Sequence, residues 1–243
     1  MLIINADDWG RSRPETDRAF ECYAKGRITS VTAMVFMADS ARAAALAKEN
    51  HMNVGLHLNL VQPITSPELP RRIAAAQLQI SRFLRCWKYA VAIYNPFLRK
   101  QFRLVYRAQA EEFERLYGRP PSHVDGHQHM HLCANVLLGQ VIPKGHRVRR
   151  NFSFGPGENS WLNRSYRHLT DSWLCRRYDS TDYFFSLAAC LRAKNLDRVT
   201  GMARTADVEL MAHPVNGEEY DWLMSDDHAQ VLRNVQTGSY ALL

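Results

Sequence analysis

The chain has 243 residues and a mass of 28.0 kDa, a size that one hydrophobic core can organise, so residues 1–243 read as a single domain. Hydrophobic residues are 46% and charged residues 23% of the sequence, which excludes a disordered or collagen-like chain; no apolar run of 18 residues is present, which excludes a transmembrane helix. The net charge of +7 is uneven, because nine Arg and Lys stand between Pro70 and Ala110 without one Asp or Glu, leaving a balance near −2 elsewhere.

The chain opens on Met1-Leu2-Ile3-Ile4 with no basic stretch before an apolar one, so no secretory signal is read and a cytoplasmic location is expected. Ile3 to Ala6 is a short buried strand ending in Asp7 and Asp8. Pro14 to Ala24 has helical spacing in Ala19, Phe20 and Tyr23, with Gly26 as its stop. Ile28 to Phe36 is β-branched and strand-like, and Ser40 caps an Ala-rich helix to about Lys48. Val54 to Leu58 is the third strand, Ala108 to Tyr117 a helix stopped by Gly118 and Pro120, and His123 to His127 the next strand. Further strands are expected near Arg147 to Arg149 and at Val208 to Ala212, with a helix from Asp226 to Val235. Asn151 to Arg167, rich in Gly, Asn, Ser and Arg, reads as an irregular loop bordering a cleft. Strands alternating with helices imply an α/β fold with a parallel sheet, and at this length a (β/α) barrel is favoured over an open doubly wound sheet. Cys22, Cys86, Cys133, Cys175 and Cys190 are odd in number and lack a CxxC pair, so they read as scattered thiols.

Asp7-Asp8, His57, the run from His123 to His131, and His213 each fall at the expected carboxyl end of a strand, and in a parallel barrel those ends share one face. Two adjacent carboxylates ending an apolar strand need a cation or hydrogen bonds to compensate them. Alternation along a strand would send them to opposite sides, with different roles. Four of the ten His lie within nine residues, and at ~3.3 Å per residue only two or three of that run could ligate one ion. Imidazole with carboxylate and no cysteine favours a catalytic divalent-metal site.

Taken together, Asn5-Ala6-Asp7-Asp8-Trp9-Gly10, Ser30-Val31-Thr32-Ala33-Met34-Val35, Gly55-Leu56-His57-Leu58-Asn59-Leu60, Pro121 to His131 and Glu209-Leu210-Met211-Ala212-His213-Pro214 resemble the YdjC-like carbohydrate deacetylases. The resemblance implies a distorted (β/α) barrel-like deacetylase fold, in which the basic segment around residues 63–107 reads as an insertion. It also implies one divalent ion, Mg2+ or Zn2+, and hydrolysis of an N-acetyl group on an amino sugar in an oligosaccharide or glycolipid. Carried over residue by residue, it places the metal ligands on Asp8, His57 and His127, the base on Asp7 and the acid on His213. His123, Asp125, His129, His131 and Asn59 become groups that orient the ligands or face substrate. The segments from Pro63 to Arg107 and from Asn151 to Asp182 depart from the family pattern.

A metal-dependent phosphoesterase on a similar barrel is the alternative, discriminated by phosphate release. A basic nucleic-acid-binding module ranks lower, because no such motif accompanies the charge, and nucleic acid is not expected as a partner. The Arg71 to Arg107 segment interleaves cations with aromatics. A helical Arg82 to Tyr94 would align Phe83, Trp87 and Tyr94 with Arg85 and Lys88 beside them, fitting a peripheral contact with the inner membrane face and a lipid-linked substrate. A core-facing or homodimer-forming helix is the competing reading.

Overall fold

The computed structural model describes residues 1–67, 69–154 and 161–243. Strands β1 (Leu2–Trp9), β2 (Ser30–Ala33), β3 (Val54–Leu58), β4 (Val124–Gly126), β5 (Tyr183–Ser186) and β6 (Val208–Ala212) form one parallel sheet in the order β4-β3-β2-β1-β6-β5. A short β7 (Thr237–Gly238) pairs with the start of β1. The helices are α1 (Arg13–Ala24), α2 (Ser40–Glu49), α3 (Arg71–Arg85), α4 (Arg99–Tyr117), α5 (Ala134–Leu137), α6 (Trp161–Cys175), α7 (Leu187–Ala193), α8 (Leu196–Met202), α9 (Gly217–Met224) and α10 (Asp226–Leu232).

The two sheet edges are joined through the extended segment 147–153. On one side the Arg149 amide donates to Val124 O and the Val124 amide to Arg147 O; on the other the Val148 amide donates to Asp179 O and the Ser153 amide to Phe184 O. The curled, barrel-like α/β fold expected from the alternation is therefore present. The strand expected near Arg147 to Arg149 is this bridging segment, which makes isolated pairings and no ladder.

A period of two divides every long strand. Leu2, Ile4 and Ala6 of β1, Val31 and Ala33 of β2, Leu56 and Leu58 of β3, and Val208, Leu210 and Ala212 of β6 join the apolar core with the helices. Their neighbours in sequence point the other way and are mostly polar: Asn5, Asp7, Ser30, Thr32, His57, Asp125 and Glu209 are all buried on the inner face. Register keeps them together, since Asn5 pairs with Ser30 and His57 with Asp125. Ser30 Oγ donates to Asn5 Oδ1 at 2.8 Å, and Asn5 Nδ2 donates to Asp7 Oδ1 at 2.9 Å and Thr32 Oγ1 at 3.1 Å, so the inner face is tied together side chain to side chain.

Several boundaries differ from expectation for local reasons. The helix read as Ala108 to Tyr117 starts at Arg99, because Phe102, Val105, Tyr106, Gln109 and Phe113 make a continuous buried stripe that the surrounding cations obscure. Its C-terminus is the expected one, with Gly118 at φ 69° and its amide bonded to Glu114 O at 2.8 Å. No helix runs from Arg82 to Tyr94. α3 ends at Arg85, followed by short 3-10 turns at Ala90–Ala92 and Pro96–Leu98, where Asn95 precedes a proline and its Oδ1 caps the Phe97 amide. Asn151 to Arg167 is not one loop, since α6 begins at Trp161; residues 155–160 lie outside those described. Asp39 occupies the cap position of α2, and Ser40 instead accepts the Met37 amide and donates to Met34 O. The strand read from Ile28 to Phe36 narrows to Ser30–Ala33 and that from His123 to His127 to Val124–Gly126; β5 had no counterpart in the sequence reading.

Gly55 is a point of close packing against the inner face. A Cβ there would stand 2.5 Å from the His123 ring, which is itself pressed flat on Tyr240 with centroids 3.7 Å apart. Gly55→Ala is expected to cost about 1–3 kcal/mol by overpacking, read as a lowered urea midpoint at unchanged m-value.

Candidate active site

The site begins with a bulge. Between Ala6 and Trp9 β1 advances three residues while its partner β2 advances from Val31 to Ala33, so one residue is extra. Asp8 takes it up at φ 64°, a left-handed conformation that aspartate tolerates better than most residues. Trp9 thereby returns to the apolar side, fully buried, and Asp7 and Asp8 both face the inner side. The alternation argument that sent the two carboxylates to opposite sides fails here because the extra residue breaks the period.

Asp8, His57 and His127 form one buried group whose ligand atoms lie within 4.8 Å of one another. Asp8 Oδ1 is 3.4 Å from His57 Nε2 and 3.0 Å from His127 Nδ1, and Asp8 Oδ2 accepts from Arg11 at 3.0 Å. His57 Nδ1 donates to Asp125 Oδ1 at 2.8 Å, which fixes the ring and turns Nε2 toward Asp8, the usual support for a metal-binding imidazole. His127 arrives from the end of β4, where the chain enters a 3-10 turn, His127–Leu132, interrupted by Gln128 and His129 in left-handed conformation.

Asp7 is held differently. Arg149, with no exposed surface, donates to Asp7 Oδ2 and Oδ1 at 2.7 Å each, and the same guanidinium meets Asp125 Oδ2 at 2.7 Å and Glu209 Oε1 at 2.6 Å. Tyr240 hydroxyl donates to Glu209 Oε2, closing the inner network. Burial raises the Asp7 carboxyl, but Arg149 and then His57 hold it well below the usual carboxylate range. Burial likewise opposes ionisation of Asp8, yet the His127 hydrogen bond and the His57 charge bring it down to about 2. Burial lowers His57, and Asp125, Asp7 and Asp8 outweigh it, pushing the ring up to about 9.

The charge balance tests a cation directly. Asp7, Asp8 and Asp125 face Arg149 and Arg11, which leaves negative charge beside His57 even before Glu209 is counted. A proton on His57 answers it in the free chain; a divalent ion on Asp8, His57 and His127 answers it more fully, so the residues present fit such an ion.

Asp125 lies within the cluster. His213 is half-buried at the end of β6, where its backbone N–H donates to Glu219 Oε2 at 2.9 Å and its charge helps to lower Asp7. His129 packs edge-on against Phe152 at 4.6 Å, and burial pushes it down to about 3. His131 Nε2–H donates to Arg149 O at 3.0 Å and so steadies the backbone of the clamp. His123 sits two residues earlier on the inner face than Asp125, stacked on Tyr240 and bonded to Ser122 Oγ. Asn59 is committed to the turn after β3, its Oδ1 accepting the Val61 and Gln62 amides. Neither of these two is among the grouped ligands.

Arg149, Glu209 and Tyr240 were missed as site residues. The available signal was Glu209, an acid inside the apolar strand Val208–Ala212 that demands a buried partner. Beside the cluster, a cleft of about 290 Å³ is lined by Arg150, Phe152, Ser153, Phe154, Arg167, His168, Asp171, Asp182 and Tyr183, and Phe152 stacks on Phe184 while touching His129.

A parallel barrel places its chemistry where the carboxyl ends of strands converge, and the buried Asp/His centre stands there, as in α/β-barrel enzymes generally. The family follows from comparison: the model of the YdjC-like protein family matches residues 1–234, and the chain belongs to that family. It is 30% identical over 221 residues to a chitooligosaccharide deacetylase of Proteus mirabilis, covering 88% of this chain and 81% of the relative. It is 31% identical over 244 residues to a human carbohydrate deacetylase, covering 88% and 74%. The crystal structure of a putative cellobiose-phosphate cleavage protein from Enterococcus faecalis superposes with a TM-score of 0.67 at 19% identity, covering 98% of this chain and 97% of that one, and shows the same fold.

Two of the shifted groups, Asp8 and His57, predict a pH profile for metal-free protein. Asp8 at about 2 lies below its unfolded value of about 3.9, so its contribution is present above pH ~4 and is lost as pH falls toward 2. His57 at about 9 lies above its unfolded value of about 6.5, so its contribution is present below pH ~6.5 and is lost as pH rises through 9. Urea unfolding in chelator should show stability greatest between the two windows, falling on the order of 1–3 kcal/mol on the basic side. His57→Ala should flatten that basic limb.

Proposed function

We propose that this chain is a divalent-metal-dependent carbohydrate N-deacetylase, hydrolysing the acetamide of an amino sugar to acetate and a free amine. The observation that carries the reading is the buried Asp8–His57–His127 group standing beside a second carboxylate, Asp7, that is clamped separately by Arg149. The naming of the relatives from Proteus mirabilis and human as deacetylases supports the reaction class.

Asp8, His57 and His127 would hold the ion, and two imidazoles with one carboxylate favour Zn2+ over the oxygen-seeking Mg2+. When bound, such an ion supplies Lewis acidity to the amide carbonyl and to water. Asp7, ionised at neutral pH, takes the proton from the attacking water as its oxygen joins the carbonyl carbon. His213 gives a proton to the amine nitrogen as the C–N bond breaks. Asp125 orients His57, and Arg149 fixes the Asp7 carboxylate. The Phe152 and Phe154 rings of the adjoining cleft offer apolar faces to a sugar ring.

Acetate release from N-acetylated amino sugars, soluble and lipid-linked, is expected in the metal-loaded enzyme and should cease with chelator. His213→Ala should lower kcat on the order of 10²–10⁴-fold with little change in KM. Phosphate release from sugar phosphates with no acetate from any N-acetyl substrate would replace this reading by the phosphoesterase one.

A further inference from the structure

The segment between α3 and α4 has no role in the cluster, yet it presents the largest exposed aromatic surface among the described residues. Trp87 is 53%, Tyr89 52%, Ile93 45% and Phe97 88% exposed. Trp87 and Tyr89 meet edge to face at 5.0 Å, and Lys88 Nζ lies 4.6 Å over the Tyr89 ring, so these two rings and the cation form one crest, which exposed Ile93 and Phe97 follow in the same segment. Arg82, Arg85, Arg99 and Lys100 are exposed on either side of it in sequence, and no Asp or Glu occurs in the sequence from Pro70 to Ala110.

The crest is braced rather than loose. The Asn95 amide donates to Asn135 Oδ1 at 2.9 Å and Asn135 Nδ2 donates back to Asn95 O at 2.7 Å. Asn135 follows closely on the turn that carries His127, His129 and His131, so the crest is tied to the chain leaving the carboxyl end of β4.

We propose that this crest is a docking surface for an anionic lipid bilayer, with Trp87, Tyr89, Ile93 and Phe97 entering the interface and Arg82, Arg85, Lys88, Arg99 and Lys100 meeting head groups. Exposed aromatics interleaved and flanked with cations are the residue types a membrane interface favours. A second copy of this chain is the poorer occupant, because a twofold contact would set like charges against like with no acid to offset them. No base-reading motif accompanies the exposed aromatics, which disfavours nucleic acid. No helix among the described residues is long and apolar enough to cross a membrane, so the contact is peripheral. Docked in this way, the enzyme would meet an amino sugar whose lipid anchor stays in the bilayer; that last consequence rests on the deacetylase reading, whereas docking does not.

The test is co-sedimentation of the full chain with vesicles of phosphatidylglycerol and phosphatidylcholine, against vesicles of phosphatidylcholine alone. Binding is expected only to the anionic vesicles, falling tenfold or more between 0.1 and 0.5 M salt on an order-of-magnitude basis. It should be lost in R85E/K88E/R99E and, at unchanged charge, in W87A/F97A, both of which should keep the wild-type melting temperature and turnover of a soluble substrate. Absence of binding to anionic vesicles, or binding unaltered in both variants, overturns the proposal. So does a concentration-dependent dimer that W87A/F97A abolishes, or RNA binding without vesicle binding. The vesicles carry no amino sugar, so a negative result leaves the deacetylase reading intact, and failure of acetate release leaves the docking result intact.

Discussion

The guanidinium of Arg149 lies inside the barrel with no exposed surface, between Asp7, Asp125 and Glu209. Removing a charge of this kind from water costs several kcal/mol and is tolerated only when its hydrogen bonds are met by charged partners. Here one cation serves three carboxylates on β1, β4 and β6, strands at the centre and on both sides of the sheet. The clamp therefore does more than neutralise. It ties β4, at one edge of the sheet, to the paired strands β1 and β6 across the inside of the curl, and the segment carrying Arg149 is the same one that joins the two sheet edges. His131 secures that segment from beneath through the Arg149 carbonyl.

The clamp and the bulge in β1 together divide two neighbouring aspartates into two environments. Both oxygens of Asp7 are taken by Arg149, with Asn5 and Thr32 adding to Oδ1. Asp8, displaced by one residue into a left-handed conformation, keeps an oxygen directed at His57 and His127. Adjacent residues thus acquire different partners without alternating across the sheet. On the proposed reading, this is how one strand end supplies both an ion ligand and a proton acceptor. His57 is the point of contact between the halves, since its Nδ1 leans on Asp125 of the clamp and its Nε2 on Asp8. Strain at Asp8 is offset by the network that depends on it, a common arrangement at functional sites.

Much of this was legible in the sequence because strand ends carry their chemistry in short, local words. Asp7-Asp8 after Leu2 to Ala6, His57 after Val54 to Leu56, and His127 after Val124 to Gly126 could be placed on one face once the strands were parallel. The barrel-like curl followed from the same alternation. What escaped was non-local. Arg149 stands in a run of arginines that looks solvated, and only the convergence of three distant carboxylates makes it a core residue. The bulge escaped because periodicity assumes an unbroken ladder, and nothing in Asp7-Asp8 itself announces an extra residue. The aromatic segment after Arg85 was legible in composition but not in conformation: its cations and rings suggested a helix, whereas Asn95-Pro96 and the bracing by Asn135 set short turns.

The division of roles between Asp7 and Asp8 is tested most directly by calorimetric titration of Zn2+ into metal-free Asp7→Asn and Asp8→Asn proteins, each first checked for a cooperative unfolding transition. Asp8→Asn is expected to lose affinity by more than the ~10–100-fold typical of an indirect partner, while Asp7→Asn binds within about tenfold of the parent. Asp7, His57 and Asp125 form a second group close enough to hold an ion. The opposite result, with binding lost in Asp7→Asn and kept in Asp8→Asn, would place the ion there and contradict the account.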